Sequence, residues 1–570
     1  MHRERRFRNN MRLFNQEQIS QIKREKQSWI EQCLKDRGLM EEGGERTYSG
    51  IPLKLIYCPD DIEDLDYIKD LGFSGSPPFT RGIYPNMYRG RAFTIRQLAG
   101  FGTPEDCNQR LKYLMSRGAT GLNIVLDMPT IRGYDSDSPQ AEGNVGQCGV
   151  ALDSVDDLHS LFRDIPLDRI SVSLVTHLPS VTLILLSMFM VMAQERGIPF
   201  EKLSGTSQND FIMETAVGSA PEILPPKDSF RMQCDVIEYV TQILPRWNPI
   251  SFNGYNLREA GTDAVTEVGV AICNAIETAQ EIIRRGREVD SFIQRFSFFW
   301  DLHNDFFEEI AKCRASRRVW YKVVSNRLKA RSLRSHLMRF HIQTSGITLP
   351  SIEPLNNIAR AAIQGLAAVL SGAQSLHIDS YDEAYSAPTE KAALISLRTQ
   401  QILQVETGVT KVVDPLGGSY LVEYLTDQME KKISEFIDKI EAMGGIIKIV
   451  ENGWLHQHIA EFSYRQQKDI EEGKLKIVGV NYLQGEDRGT PTEIFQYPET
   501  EKRQAEKLRR LRSERNSVLW RRAMEEVRKA CKRSSNLMPA IIEAVKARAT
   551  LGELHSVFKE SFGLWSFPLS

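Results

Sequence analysis

The chain has 570 residues, of which 41% are hydrophobic and 26% are charged, a composition typical of a large soluble globular protein. A net charge of −2 and an isoelectric point of about 6.6 exclude a broadly basic nucleic-acid-binding surface. The eight cysteines form no CxxC pair, which excludes a disulfide framework or a zinc site as the basis of the fold.

Residues 1–75 are predicted to form an arm and a lead-in to the main domain. Within them, residues 11–45 carry apolar side chains at helical spacing, which predicts a helix that packs on a partner or on the body. These apolar residues are Ile19, Ile22, Trp29, Ile30 and Leu34. The start of the chain, MHRERRFRNN, has no apolar core, and the longest apolar stretch, 181–193, is too short to cross a membrane. We therefore expect a cytoplasmic protein with no membrane partner.

Residues 78–101 combine arginines and aromatic rings among turn-forming glycines and prolines. The arginines are Arg81, Arg89, Arg91 and Arg96, and the aromatic residues are Tyr84, Tyr88 and Phe93. Guanidinium groups bind phosphates through fixed, forked donors, and aromatic rings stack on planar bases. The block therefore favours a ligand with both a nucleobase and phosphates, although a solvated basic loop is the alternative.

From about residue 90 onward, eight short β-rich runs alternate with amphipathic helical stretches. The predicted strands are 94–99, 122–127, 170–176, 202–206, 249–254, 296–300, 337–343 and 374–378. Eight such units predict an α/β fold of the (β/α)₈ barrel type over residues 76–425. Residues 426–570 are predicted to form a helical extension, with helices over 425–442 and 500–532 and a closing helical segment, 537–570.

Several polar residues fall at or just past the carboxyl end of a predicted strand. They are Gln208, Tyr255, Asn256, Gln343 and His377. In a (β/α)₈ barrel this end carries the active site, so their clustering favours a catalytic role. For each residue alone, the alternative is a loop residue whose polar groups are satisfied locally.

The segments TRGIYPNMY and RAFTIRQLAGFGT resemble the coenzyme A-binding signature of the methylmalonyl-CoA mutase family, whose members usually read TRGPYPTMY and RPWTIRQYAGF. The resemblance continues, in order, over about residues 75 to 485. The further segments are RGYDSD, GTSQND, NGYNLREAG, RFSFFW, HIQTSG, AQSLH and DPLGGSYLVE. The resemblance implies a (β/α)₈ barrel threaded by coenzyme A and a radical 1,2-rearrangement of an acyl-CoA carbon skeleton, an isomerase reaction that uses adenosylcobalamin.

In the family, a cobalamin domain ligates cobalt through the histidine of a D-x-H-x-x-G motif. Of the ten histidines here, His159 and His303 follow Asp-Leu, but neither has glycine three residues later. The resemblance therefore implies a large, substrate-binding subunit whose cobalt is ligated by a separate small subunit. A heterodimer or heterotetramer and a G-protein chaperone for cofactor loading are further implied partners.

The resemblance also assigns site residues. It places Tyr255 beside the reacting carbon, Gln208 near the thioester and Asn256 at a third catalytic position. The implied substrate-binding residues are Tyr84, Met87, Arg91, Thr94, Arg96, Leu98, Thr206, Gly218, Arg295, Ser297, His341, Gln343, Ile347, Gln374 and Ser375. The implied contacts to the adenosyl group are Glu259, Glu383, Ala384 and Gly346.

Four positions depart from the family pattern. Asn256 replaces a histidine, Gly218 an arginine that clamps a free carboxylate, Leu98 a tyrosine and Ile347 a tryptophan. These changes favour a branched acyl-CoA without a free carboxylate, as in relatives that isomerise isobutyryl-CoA or 2-hydroxyisobutyryl-CoA. The alternatives are a catalytically weak acyl-CoA-binding or regulatory relative, and a methylmalonyl-CoA mutase subunit.

Overall fold

The computed structural model describes residues 12–37, 44–217, 223–485 and 499–567. Its centre is a sheet of nine parallel strands in the order β5-β4-β3-β2-β1-β9-β8-β7-β6. The strands are β1 (Thr94–Ala99), β2 (Gly121–Val125), β3 (Ser171–Val175), β4 (Ser204–Ser207), β5 (Trp247–Asn248), β6 (Ile250–Asn253), β7 (Phe296–Leu302), β8 (Arg339–Thr344) and β9 (Ser375–His377). Each predicted strand is present, with ends that differ by a few residues.

The two outermost strands in this order, β5 and β6, belong to one stretch of chain interrupted at Pro249. β5 pairs with β4 and β6 pairs with β7, and the Ser251 N–H donates to the Gln208 carbonyl at 3.0 Å. Proline has no N–H to give to a ladder, so the strand breaks there. The segment 247–253 therefore closes the sheet into a barrel, and the predicted (β/α)₈ fold is confirmed. The fifth predicted strand begins at Trp247, two residues before the predicted start at residue 249.

Helices surround the barrel and form both extensions. They are α1 (Gln16–Arg37), α2 (Met87–Gly90), α3 (Pro104–Ser116), α4 (Met128–Ile131), α5 (Val155–Leu161), α6 (Pro179–Glu195), α7 (Phe211–Thr215), α8 (Pro226–Ile243), α9 (Tyr255–Glu259), α10 (Ala264–Arg284), α11 (Val289–Phe292), α12 (Phe306–Lys322), α13 (Asn356–Leu370), α14 (Glu390–Val405), α15 (Tyr420–Ala442), α16 (Ile446–Glu451), α17 (Trp454–Glu471), α18 (Glu499–Glu514), α19 (Ser517–Lys532), α20 (Met538–Lys546) and α21 (Leu551–Phe562).

The barrel interior is lined by small polar side chains at its inward-facing positions. Ser171 and Ser173 on β3, Thr206 on β4, and Ser297 on β7 all line an internal cavity. The alternate residues of β2 and β3 are large, apolar and buried. Most (β/α)₈ barrels fill this interior with valine, isoleucine and leucine, so small residues here leave room along the axis.

The long apolar stretch of the sequence is helix α6, which is buried on every side. It packs against α5 and α8 of the barrel's outer ring and against α20 and α21 of the C-terminal extension. A helix that is apolar all round needs such a doubly covered position. Among the described residues, no helix is long and apolar enough to cross a membrane.

The N-terminal helix α1 packs on the body of the same chain. Ile19 and Ile30 are buried, and the Lys26 ammonium pairs with Asp60 at 3.2 Å and Asp61 at 2.7 Å. Of the two predicted roles for this arm, the structure shows the contact with the body.

The segment 500–532 is helical, as predicted. It is two helices, α18 and α19, separated at Arg515 and Asn516. The Asn516 side chain accepts hydrogen bonds from the N–H groups of Val518 and Leu519, at 3.1 Å each, and so begins a new helix.

Candidate active site

Two adjoining cavities follow the barrel interior, and a third lies at the carboxyl ends of β1 and β2. A lower cavity of about 610 Å³ opens at the amino end of β1 and β9, and a middle cavity of about 370 Å³ lies between the strands. Both are lined by Arg91, Thr94 and Gln374, so they adjoin. An upper cavity of about 290 Å³ lies past the carboxyl ends of β1 and β2.

Most of the predicted substrate-binding residues line the two lower cavities. They are Tyr84, Met87, Arg91, Thr94, Arg96, Thr206, Arg295, Ser297, His341, Gln374 and Ser375, together with Gln208. Leu98, Glu383 and Ala384 line the upper cavity. Gly218 lies outside the described residues.

The arginine block divides into two kinds of residue. Arg81 donates to Asp414 at 3.0 Å and to the Tyr67 hydroxyl at 3.1 Å, so it braces the lead-in against the body. Arg89 is exposed and lines none of the three cavities. Of the four arginines, only Arg91 and Arg96 line a cavity, and these are the two that the sequence analysis places among the substrate-binding residues.

Further arginines reinforce positive charge at the amino end of the barrel. Arg246, Arg295 and Arg339 line the middle cavity, and each lies at or just before the start of a strand. Burial, followed by repulsion from Arg339, Arg334 and Arg246, lowers the pKa of Arg295. The sequence analysis missed Arg246 and Arg339 because it sought polar residues at the carboxyl ends. Such a concentration of guanidinium groups suits a polyphosphate.

Arg96 is a buried cation in the barrel wall. Its guanidinium donates to the Leu122 carbonyl at 2.8 Å, the Ser171 hydroxyl at 2.8 Å and the Ser375 hydroxyl at 3.3 Å. Burial lowers its pKa to about 10. Among the described residues, no carboxylate lies within ion-pair distance of it. Its charge is therefore available to a polar or anionic ligand in the cavity.

Three buried polar atoms in the middle cavity have no hydrogen-bond partner in the described structure: Gln208 Oε1, Asn123 Oδ1 and His341 Nε2. The other ring nitrogen of His341 contacts the Ser375 hydroxyl at 2.9 Å, and burial lowers its pKa well below the ordinary value. Unpaired buried polar atoms are rare, and a polar ligand would satisfy these. The sequence analysis missed Asn123, although its inward position on β2 could have indicated it.

Tyr255 begins α9 directly after the barrel strand β6. Its ring stacks on Phe299 with centroids 4.7 Å apart and planes 4° apart. Its hydroxyl oxygen accepts a hydrogen bond from Gln343 Nε2 at 2.9 Å. Burial raises the Tyr255 pKa well above its ordinary value, so the phenol keeps its proton. Since the oxygen already accepts from Gln343, this proton is available to another acceptor.

Glu259, at the end of α9, lies beside Tyr255. Its carboxylate accepts from the Ile347 N–H at 3.0 Å and from the Ser345 hydroxyl at 3.1 Å, and burial raises its pKa. A Cβ on Gly346 would lie 3.0 Å from this carboxylate, so glycine permits the close approach. The Ile347 side chain is 45% exposed and lines none of the three cavities, so its backbone contributes more than its bulk.

Comparison with known proteins agrees with this geometry. Residues 46–564 match the methylmalonyl-CoA mutase family. The chain belongs to this family. A 2-hydroxyisobutanoyl-CoA mutase large subunit from Aquincola tertiaricarbonis is 41% identical over 553 residues, which cover 96% of this chain and 97% of that protein.

Methylmalonyl-CoA mutases are similar over a smaller share of their length. The enzyme of Cereibacter sphaeroides is 40% identical over 521 residues, covering 91% of this chain and 72% of that protein. The mitochondrial enzyme of Homo sapiens is 40% identical over 520 residues, covering 91% and 68%. As a member of this family, the chain is an acyl-CoA mutase, an isomerase of a cobalamin-dependent class.

Arg258 is not placed to bind a free carboxylate in the cavities. The Arg258 guanidinium is fully buried and donates to the Thr262 carbonyl at 2.6 Å and to Glu309 at 2.9 Å. It also lies 4.4 Å from the centre of the Tyr48 ring. The guanidinium thus lies in the protein interior behind α9 and lines none of the three cavities.

Asn256 holds the start of α9 through its backbone. Its N–H donates to Asn253 Oδ1 at 2.9 Å, while its side-chain amide makes no hydrogen bond within the described residues. An amide at this position can donate a hydrogen bond but carries no ionisable proton.

The upper cavity of the mutase has largely apolar walls. Leu98, Phe101 and Val125 contribute hydrocarbon surface, and Glu383 contributes a carboxylate whose pKa burial raises well above its ordinary value. Arg110 adds one cation, but its guanidinium stacks 4.8 Å from the Phe101 ring centre and donates to the Pro388 carbonyl at 3.2 Å. The sequence analysis missed Val125, whose inward position on β2 is the signal that indicates it.

Proposed function

We propose that this chain is the large subunit of an adenosylcobalamin-dependent mutase that rearranges a branched acyl-CoA without a free carboxylate. The observation that carries the substrate class is the hydrocarbon wall of Leu98, Val125 and Phe101 at the carboxyl end of the barrel. A free carboxylate against that wall would be buried without a partner, at a cost of several kcal/mol as an order of magnitude.

In this proposal, coenzyme A runs along the barrel axis from the amino end. Arg91, which lines both the lower and the middle cavity, and Arg246, Arg295 and Arg339, at the amino end of the middle cavity, bind its phosphates. Further in, Gln208 Oε1 accepts from an amide N–H of the pantetheine arm, and His341 Nε2, when it carries the ring proton, donates to the thioester oxygen. Donors aimed at a thioester oxygen in a water-poor site polarise it strongly.

Tyr255 stands beside the acyl group in the same arrangement. Its rigid stacking on Phe299 fixes the ring, and its proton is free to donate toward the reacting centre. Adenosylcobalamin, when bound, supplies the carbon-centred radical chemistry that starts the rearrangement. Glu259 and Glu383 fit the adenosyl ribose, because each is a carboxylate that can accept a hydroxyl hydrogen.

A separate small subunit is proposed to ligate the cobalt. The printed sequence contains no D-x-H-x-x-G, and the relative that matches almost end to end is itself named a large subunit. A heterodimer or heterotetramer, with a G-protein chaperone loading the cofactor in the cytoplasm, completes the proposal.

Turnover by the reconstituted complex tests the substrate class. We compare kcat/KM for isobutyryl-, pivalyl-, 2-hydroxyisobutyryl- and methylmalonyl-CoA. We expect the best value for one of the three esters without a carboxylate, and a value roughly 100-fold lower for methylmalonyl-CoA, since an unpaired buried charge costs about 3 kcal/mol or more. Turnover of none of the four would favour a catalytically weak relative.

The position of Arg110 favours a methylmalonyl-type substrate, because its guanidinium lies in the wall of the upper cavity, where it could pair with a free carboxylate. Its bonds to Pro388 and Phe101 argue against a free clamp. If methylmalonyl-CoA is the best ester, Arg110→Met should abolish that preference. If the preference survives, the cavity assigned to the acyl group is wrong.

A further inference from the structure

A line of buried side chains crosses the carboxyl end of the barrel and terminates on Tyr255. The Leu98 N–H donates to His377 Nδ1 at 3.4 Å, and His377 Nε2 contacts Asp379 Oδ1 at 3.2 Å. Gln343 Nε2 donates both to Asp379 Oδ1 at 2.8 Å and to the Tyr255 hydroxyl at 2.9 Å. The line thus connects β1, β9 and β8 to the residue proposed to stand at the reacting carbon.

The direction of each contact follows from the fixed donor at one end. A backbone N–H can only donate, so His377 Nδ1 accepts, and the proton of the neutral ring lies on Nε2, which is 3.2 Å from Asp379 Oδ1 but outside the geometry of a hydrogen bond. Burial lowers the His377 pKa to about 3, consistent with a neutral ring. The second oxygen of Asp379 accepts from the Thr344 hydroxyl at 2.9 Å. Asp379 Oδ2 therefore acts as an acceptor, and Oδ1 accepts from Gln343 Nε2, while burial and the neighbouring charge of Glu259 raise the Asp379 pKa well above its ordinary value.

An acceptor on Asp379 selects one of the two orientations of the Gln343 amide. Toward an ionised Asp379 the amide presents its NH₂ group, which is the orientation in the structure, and the same nitrogen reaches the Tyr255 oxygen. With the amide reversed, Gln343 Oε1 would face Asp379 Oδ1 and the Tyr255 hydroxyl oxygen. The Tyr255 hydroxyl would then donate its proton to Gln343 and not to a ligand. The amide orientation therefore decides whether the phenol proton is available to the cavity.

We propose that His377 and Asp379 are positioning residues of the mutase, which hold the Gln343 amide so that the Tyr255 proton points toward the reacting centre. The catalytic part of this statement rests on the proposed function. A simple brace between β8 and β9 would need neither the carboxylate nor the contact to Tyr255, because the backbone ladder already joins these strands. The Tyr255 ring is fixed by Phe299, so the hydroxyl direction is what remains to be set.

Paired variants of His377 give the sharpest test, because glutamine and asparagine each keep one half of the imidazole. The amide nitrogen of glutamine can replace Nε2 as a donor to Asp379, whereas asparagine keeps an acceptor for the Leu98 N–H and loses that donor. In the reconstituted complex, we expect His377→Gln to keep kcat within about threefold. His377→Asn and Asp379→Asn should lose roughly 10- to 100-fold in kcat, the scale expected for a misplaced reacting group. KM should stay within about twofold in all three.

A second readout does not depend on turnover. With Tyr255 replaced by 3-fluorotyrosine, the fluorine resonance of the large subunit alone reports the hydrogen bonding of the phenol. The resonance should move in His377→Asn and Asp379→Asn and stay in place in His377→Gln. Failure of all four acyl-CoA esters to turn over would overturn the proposed function, while this spectrum would still decide the positioning role.

Asp235→Asn is the matched control for a buried carboxylate. Asp235 lies on α8, outside the barrel, and pairs with Arg285 at 2.7 Å. Its loss should lower Tm while kcat stays within about twofold. Equal kcat values for the two His377 variants, a parallel fall of kcat, acyl-CoA affinity and Tm, or an unmoved fluorine resonance would each reduce the line of side chains to a structural brace and overturn the proposal.

Discussion

At the scale of single residues, the arginines of one sequence block differ in whether a protein carboxylate already pairs their charge. Arg81 and Arg91 are ten residues apart in one block, yet Arg81 is paired with Asp414 while Arg91 faces the lower and middle cavities. Arg96 is buried with no carboxylate partner among the described residues, a state that costs free energy until a ligand compensates the charge. An unpaired buried arginine such as Arg96 therefore lowers the free energy of unfolding of the free protein and favours the ligand-bound state.

Arg91 and Arg89 form a natural pair for testing that assignment. Both are exposed arginines of the same loop, but only Arg91 lines the cavities. Arg91→Ala should weaken acyl-CoA binding by roughly 10- to 100-fold, because a charge-assisted contact to phosphate contributes about 1.5–3 kcal/mol. Arg89→Ala should bind like the wild type in calorimetry. Equal acyl-CoA affinities for the two variants would support the alternative interpretation, in which residues 78–101 are a solvated basic loop without ligand contacts.

At the scale of elements, the alternation of strand and helix predicts the barrel well, because inward and outward strand positions differ so clearly in this chain. Residues 94–99 form β1 as predicted, and the helix after it begins at Pro104. The interruption at Pro249 and the cap at Asn516 were missed, since each depends on one residue inside a continuous pattern. Arg246 and Arg339 were missed because closure of the sheet, not sequence spacing, brings strand starts together.

The helix that carries Tyr255 is held by a buried quartet of charges. Arg258 on α9 pairs with Glu309 at 2.9 Å and approaches Glu267 at 4.0 Å. Lys312 pairs with the same two glutamates. The two positive and two negative charges balance, and all four side chains are fully buried. This arrangement ties α9 to α10 and α12, directly behind the proposed reacting centre.

Removing Arg258 should leave a buried negative charge without compensation. Arg258→Met is expected to destabilise the chain by about 3–5 kcal/mol, measured as a shift of the urea unfolding midpoint. The double variant Arg258→Met/Glu309→Leu restores charge balance and should recover part of that loss. Arg284→Met, which removes an exposed ion pair with Glu281, should cost less than about 1 kcal/mol. A double variant as unstable as the sum of its single changes would contradict the charge-balance argument.

At the scale of the whole molecule, the two ends of the barrel have different chemistry. The amino end concentrates guanidinium groups around the lower and middle cavities, and the carboxyl end holds Tyr255 and Glu259 on α9 and Glu383 in the largely apolar wall of the upper cavity. A ligand with a charged head and an acyl tail is thereby oriented before any partner binds. The exposed Ile347 side chain lies at the carboxyl end, the side on which the proposed cofactor subunit would approach.

This polarity predicts that binding and catalysis separate between two chains. Purified alone, the chain should bind acyl-CoA esters, because the lower and middle cavities are built from its own residues. It should show no cobalamin absorbance and no mutase activity, since its sequence holds no D-x-H-x-x-G histidine. Adding a cobalamin-loaded small subunit should restore turnover without changing acyl-CoA affinity by more than about threefold, and Arg91→Ala should weaken binding equally with and without that subunit. The visible spectrum of the chain after gel filtration measures any bound adenosylcobalamin. A stoichiometric amount on this chain alone would contradict the division of roles, because the chain itself would then supply the cobalt ligand or the binding surface for the cofactor.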